Sequence, residues 1–204
     1  MTFLALLLLA YLLGSIPTGP ILVKWLKDID IRKYGSGNTG AANVLRIAGP
    51  GPAAVVLTVD LIKGVIPAAI ARSTLTAPLG HVVIGLVAVM GHVWSVFLGF
   101  KGGKGVLTAL GSLFALAPLA GLVSTAVGGI VMARTRYSSL GSLTGTMMGA
   151  VCLLLLIAAQ RKPVAYMAQV MIAPALILLT HRENVALLLA GRERKLTQGA
   201  ERHR

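Results

Sequence analysis

Long apolar runs, separated by short segments rich in glycine and basic residues, dominate this 204-residue chain. Those at about 3–23, 51–71, 79–99, 139–159 and 164–180 each approach the roughly 20 helical residues that cross a hydrocarbon core. None alternates apolar and polar positions as a barrel strand would. The pattern predicts an all-α integral membrane protein. Residues 102–133 are too long for one crossing: as a single helix they would reach roughly 48 Å, against a core of about 30 Å. With Pro118 near the middle, two short helices at about 104–117 and 120–133 are expected, forming a hairpin that turns at Ala117-Pro118. That makes seven helices, the two short ones needing shelter from lipid at their ends.

Composition agrees, with 56% hydrophobic and 12% charged residues. An ordinary soluble domain is excluded. The net charge of +13 does not point to nucleic acid, because the basic residues fall between the apolar runs, as membrane insertion requires. Lys24, Lys27, Arg32, Lys33 and Arg46 lie between the first two spans; Arg182, Arg192, Arg194, Lys195, Arg202 and Arg204 follow the last. Only Arg72, and Arg161 with Lys162, occupy the opposite loops, so the N-terminus is expected outside and the C-terminus in the cytoplasm. The first apolar run lacks a basic leader and is broken by Gly14-Ser15-Ile16-Pro17-Thr18, so it reads as a retained span. The whole chain, 1–204, is taken as one transmembrane domain with a short basic tail that frays beyond about residue 191. The single Cys152 lies in an apolar run and reads as a packing residue.

Four polar segments interrupt this pattern, all on the expected cytoplasmic side. In the first, Gly35, Gly37 and Gly40 allow a tight backbone, Ser36, Asn38, Thr39 and Asn43 supply neutral hydrogen bonds, and Arg46 offers a fork suited to phosphate. A glycine-rich turn followed by an inside-positive arginine is the plainer account. The second, Gly99-Phe100-Lys101-Gly102-Gly103-Lys104-Gly105, leads into a helix at Val106 and suits a phosphate cradle at a helix N-terminus. Two lysines snorkelling to the interface would look the same, and Gly105 after the lysine rules out a P-loop. Third, the hydroxyls of Ser138, Ser139 and Ser142 can cap a helix or bond phosphate. Fourth, His181 and Asn184 share one helical face. Within the second span Asp60 and Lys63 lie one turn apart, and an internal ion pair supporting the site is expected there.

The inventory is rich in anion binders and poor in bases. Neither His81 nor His92 has a carboxylate five residues later, so the His-x4-Asp dyad of many acyl-CoA acyltransferases is missing. No Cys/His spacing suits zinc and no carboxylate cluster suits magnesium, so no metal or cofactor is expected.

Taken together and in order, Ser36-Gly37-Asn38-Thr39-Gly40-Ala41-Ala42-Asn43 with Arg46, Phe100-Lys101-Gly102-Gly103-Lys104-Gly105, and His181-Arg182-x-Asn184 resemble the acyl-phosphate-dependent glycerol-3-phosphate acyltransferases of bacteria. The resemblance extends to Gly14-Ser15-Ile16-Pro17, Asp60-Leu61-Ile62-Lys63-Gly64, Gly91-His92 and Ser139-Leu140-Gly141-Ser142, with one departure at Ser95, where that family usually has proline. It implies seven helices in the bacterial inner membrane, an active site facing the cytoplasm, and acyl transfer from acyl phosphate to the 1-hydroxyl of glycerol 3-phosphate. The products are lysophosphatidic acid and phosphate, the first acylation of phospholipid biosynthesis. On this reading Ser36, Arg46, Ser142, His181 and Asn184 hold glycerol 3-phosphate, and Lys104 with the glycine amides at Gly102 and Gly103 stabilises the departing phosphate. Gly37, Asn38, Thr39, Gly40, Asn43, Lys101 and Ser139 complete the binding loops, while Asp60, Lys63 and His92 support them. The partners are the two substrates and membrane lipid, with no nucleic acid. A small organophosphate transporter is the competing class, since it too would need phosphate-binding loops.

Overall fold

The computed structural model describes residues 2–199; the expected cytoplasmic basic residues Arg202 and Arg204 lie outside them. Among the described residues there are ten α-helices and no strand: α1 (Thr2–Ser15), α2 (Thr18–Lys27), α3 (Ala41–Ala48), α4 (Pro50–Thr74), α5 (Pro78–Val93), α6 (Val106–Leu116), α7 (Pro118–Thr135), α8 (Ser138–Ala158), α9 (Met167–Thr180) and α10 (Arg182–Leu189). The bundle turns its aliphatic side chains outward, with Leu4 70%, Leu155 64% and Met171 64% exposed. Such a surface requires lipid around it.

Glycines let the helices approach closely. A Cβ on Gly64 of α4 would strike the Thr108 carbonyl of α6, and one on Gly111 of α6 would strike the Leu61 carbonyl of α4. Gly128 and Gly145 bring α7 and α8 together in the same way. The first apolar run is broken at Ile16-Pro17, where the Lys63 ammonium donates to the Ile16 carbonyl at 2.5 Å, Thr18 Oγ1 at 2.6 Å and Asp60 Oδ1 at 2.6 Å. The expected internal ion pair therefore exists, buried on both sides. It fills all three ammonium donors and caps a carbonyl freed by the break.

The hairpin turns at Ala117-Pro118 as expected, with Pro118 opening α7. Its two arms differ: α7 has 18 residues and could cross a membrane, whereas α6 has 11. Only α6 is short, about 16 Å at the helical rise. Its last carbonyls are not left to lipid. Ala115 accepts from the Arg72 guanidinium and Leu116 from Lys162 Nζ at 2.8 Å, placing two cations at the negative end of the helix. Replacing both Arg72 and Lys162 by alanine is expected to cost about 1–3 kcal/mol and to lower the thermal midpoint in detergent; an unchanged midpoint would show that water satisfies these carbonyls.

Helix α5 stops at Val93 rather than continuing to residue 99. The chain reverses there: Gly99 and Phe100 take left-handed φ values of 60° and 62°, and the Gly102 and Gly103 amides bond back to the carbonyls of Val93 and His92 at 2.9 and 3.0 Å. Ser95, with φ −65°, has a torsion that proline would also adopt, and its hydroxyl donates to the Ser15 carbonyl at 2.5 Å. The tail does not fray at residue 191. Residues 192–196 fold back over the bundle, where Leu196 N bonds to the Arg136 carbonyl at 2.9 Å and Glu193 is buried.

Candidate active site

The polar segments converge at one end of the bundle on a cavity of about 800 Å³. Of the residues singled out in the sequence, Ser36, Asn38, Gly40, Asn43, Arg46, Lys104, Ser142, His181 and Asn184 line it, and Asp60 and His92 reach its wall from below.

The first loop is built around Asn43. Its carbonyl oxygen accepts from Ser36 N at 2.9 Å, and its amide donates to the carbonyls of Asn38 at 2.9 Å and Tyr34 at 3.0 Å. Asn38 Oδ1 in turn accepts from Gly40 N at 2.9 Å. Gly35 and Gly37, with φ of 63° and 70°, allow this wrap. A short helix, α3, then carries Arg46 to the cavity. Its Nη2 donates to the Arg194 carbonyl at 3.1 Å, while its Nε is buried without a partner. Burial draws the guanidinium below its usual pKa, offset by Glu193 and reinforced by Arg194. A buried, unmet cationic donor is costly unless an anion meets it.

The second loop presents Lys104, whose ammonium donates to Asn184 Oδ1. Its own carbonyl accepts from Thr180 Oγ1 at 3.1 Å. Burial lowers the Lys104 pKa to about 8, against the opposing pull of Glu193 and Glu183. The expected glycine cradle is corrected here: the Gly102 and Gly103 amides are spent on the end of α5, and both residues line a separate, very small void beside Thr39 and His92. Lys101 is exposed and outside the cavity lining. The dipole that can meet an anion is instead the N-terminus of α6, whose Val106 and Leu107 line the cavity.

His181 is buried and its Nδ1 lies 2.8 Å from the Ile177 carbonyl. Because a carbonyl only accepts, Nδ1 carries the proton and Nε2 is left as an acceptor. Burial and the neighbouring Lys104 charge lower its pKa to about 4. Ser142 lines the cavity while its hydroxyl returns a bond to the Ser138 carbonyl at 2.8 Å. Ser139 is outside the cavity lining and donates to Glu193 Oε2 at 2.5 Å. Gly37 and Thr39 are likewise outside the cavity lining.

Glu193 is the functional neighbour that sequence reading missed. It is 8% exposed, and besides Ser139 it accepts from Asn184 Nδ2 at 2.7 Å. It thereby joins α8 to α10 and fixes the amide that receives Lys104. A lone carboxylate among Arg192, Arg194 and Lys195 was the available signal.

Below these polar groups the cavity becomes apolar, running between α6, α7, α8 and α9 past Leu107, Gly128, Gly145 and Ala150 to Leu113, Leu153 and Gln169. A cationic head opening onto an apolar shaft inside a lipid-facing bundle defines an integral membrane protein with an amphiphilic cavity. The chain matches the family described as glycerol-3-phosphate acyltransferase over residues 4–191. A curated relative of that name from Myxococcus xanthus is 46% identical over 194 residues, covering 94% of this chain and 98% of the relative. One from Rubrobacter xylanophilus is 44% identical over 190 residues and 93% of each chain. The fold is similar to a crystal structure of PlsY (YgiH), an integral membrane glycerol 3-phosphate acyltransferase in its glycerol 3-phosphate form, with a TM-score of 0.88, 43% identity and 96% of each chain covered. Its lysophosphatidic acid form gives a TM-score of 0.86 at 42% identity, covering 96% of this chain and 95% of that one. This chain belongs to the glycerol-3-phosphate acyltransferase family.

Proposed function

We propose that the protein transfers a fatty acyl group from acyl phosphate to the 1-hydroxyl of sn-glycerol 3-phosphate, releasing lysophosphatidic acid and inorganic phosphate. The observation that carries this reading is the pairing of Arg46, with its unmet Nε, and Lys104 at the head of a long apolar cavity. Phosphate binds at the head, and the acyl chain lies in the shaft. On this reading the chain has seven membrane helices, counting α1 with α2 as one broken span and including the short α6, with the N-terminus outside and the cavity mouth at the cytoplasmic face of the bacterial inner membrane. The positive residues of the loops support that orientation.

Acyl phosphate is a mixed anhydride, so its carbonyl is already activated and no enzyme nucleophile is needed. The glycerol hydroxyl oxygen attacks the carbonyl carbon, the C–O bond to phosphate breaks, and the hydroxyl proton passes to the departing phosphate. The residues support this division of labour. His181, with a pKa near 4, is a weak base at neutral pH, and its Nε2 serves to orient a substrate hydroxyl. Lys104 and the α6 N-terminus stabilise the leaving phosphate, and Arg46 and Ser36 hold the phosphate of the acceptor. Asn38 and Asn43 keep the first loop in shape. Asp60, Lys63 and His92 support the frame below it.

The apolar shaft ends at Leu113, Leu153 and Gln169, with Leu116, Ile157 and Tyr166 buried in one cluster behind them, which speaks against a transport path. The test uses purified protein in detergent with glycerol 3-phosphate and either palmitoyl phosphate or palmitoyl-CoA, following lipid product and phosphate release. Product from palmitoyl phosphate alone is expected; product from palmitoyl-CoA alone would overturn the assigned donor.

A further inference from the structure

We infer that Gln169 forms the floor of the acyl-chain shaft and sets the longest chain the enzyme accepts. The inference rests on the assignment of the shaft to the acyl group. From Ser142, at the polar head, to Leu153 is eleven residues along α8, about 16 Å at the helical rise. His181 to Gln169 is twelve residues along α9, about 18 Å. Leu153 and Gln169 thus lie at a similar depth, and Leu113 of α6 packs in the same cluster as Leu153. One helical turn further along each helix come Leu116, Ile157 and Tyr166, all buried and packed in a single cluster. Tyr166 is fixed from behind, its hydroxyl donating to His81 Nδ1 at 3.2 Å while His81 Nε2 donates to the Leu75 carbonyl at 2.8 Å.

Gln169 is the odd residue in this floor. It is 3% exposed, lies within an apolar run, and its carbonyl oxygen has no hydrogen-bond partner. Two polar residues of α7, Ser124 and Thr125, also line the shaft, and Thr125 returns its hydroxyl to the Gly121 carbonyl at 2.9 Å. An unpaired amide destabilises the fold, so packing does not explain its presence. A methyl terminus pressed against it finds neither room nor an apolar surface. Chains that stop short of Gln169 are accommodated, and longer ones must buckle or withdraw the carboxyl end from Lys104.

The test compares dodecanoyl, palmitoyl, stearoyl and eicosanoyl phosphate as donors with the full-length protein in detergent. Gln169→Ala lowers the floor and is expected to raise kcat/KM for the donors the wild type rejects by about tenfold relative to dodecanoyl phosphate. Ala173→Leu, one turn nearer the head, is expected to shift the profile the opposite way, with about a tenfold loss for the longer donors and little change for dodecanoyl phosphate. Gln169→Leu keeps the volume and removes the unpaired carbonyl; it is expected to melt higher and retain the wild-type length limit. Active variants whose length profiles all coincide with the wild type would overturn the inference. Loss of the acyl-phosphate reaction itself would show instead as a wild-type protein inactive with every donor in the series.

Discussion

Lys104→Ala is expected to lower kcat/KM for glycerol 3-phosphate by about 10²–10³-fold while leaving the protein folded. Among the described residues the ammonium has no carboxylate in direct contact. Its partner is the neutral Asn184 amide, which Glu193 holds in place from the other side. That arrangement fixes the position of the charge without neutralising it, which is what a site for a departing phosphate requires. Burial has already lowered the Lys104 pKa to about 8. The group is charged below that value and loses its charge as pH rises through it, so kcat/KM is expected to fall above about pH 8. Bound phosphate favours the charged form and moves the break upward in kcat, which reports the complex. Lys104→Arg should lose the alkaline break while keeping part of the activity, since guanidinium stays protonated across the range. Steady-state kinetics over the pH range decide the matter: a Lys104→Ala variant with wild-type kcat/KM would remove Lys104 from the mechanism.

Arg46→Ala is expected to raise KM for glycerol 3-phosphate with a loss of about 10- to 100-fold in kcat/KM, the worth of a charge-assisted hydrogen bond. Of its donors, Nη2 is engaged with the Arg194 carbonyl, whereas Nε is enclosed and unmet. Arg46→Lys restores charge but not the planar fork, so it should recover only part of the loss. The Nη2 contact with Arg194 ties the tail to the site, and the Ala variant should therefore also loosen residues 192–196. Hydrogen exchange at the Leu196 amide, which bonds to the Arg136 carbonyl, would report that. An unchanged KM in both variants would relocate the acceptor phosphate away from Arg46.

The all-helical membrane fold was legible in the chain, because run length and hydropathy act locally and a bilayer leaves the backbone few alternatives. So were the Ala117-Pro118 turn, where a proline acts on its own neighbours, and the Asp60–Lys63 pair, whose two members lie one helical turn apart. The clustering of Ser36, Arg46, Lys104, Ser142, His181 and Asn184 was expected from the polar segments and is found around one cavity. Helix α3 was not expected, since eight residues between Gly40 and Gly49 are too few to signal a helix without packing partners.

Which partner each polar group finds depends on how the helices pack. A glycine-rich stretch ahead of a helix looks the same in sequence whether its amides face a ligand or another strand of backbone. Here Gly102 and Gly103 bond back onto α5, and it is the start of α6 that faces the cavity. Glu193 reads as one acidic residue in a basic tail, yet it lies between Ser139 and Asn184 because the tail folds over the cavity. Gln169 is one amide in an apolar run, and its place at the bottom of the shaft follows from how α6, α8 and α9 align in depth. Hydropathy is a property of a segment and can be read along the chain; a hydrogen bond between residues eighty positions apart, such as Lys104 to Asn184, exists only once the helices have packed.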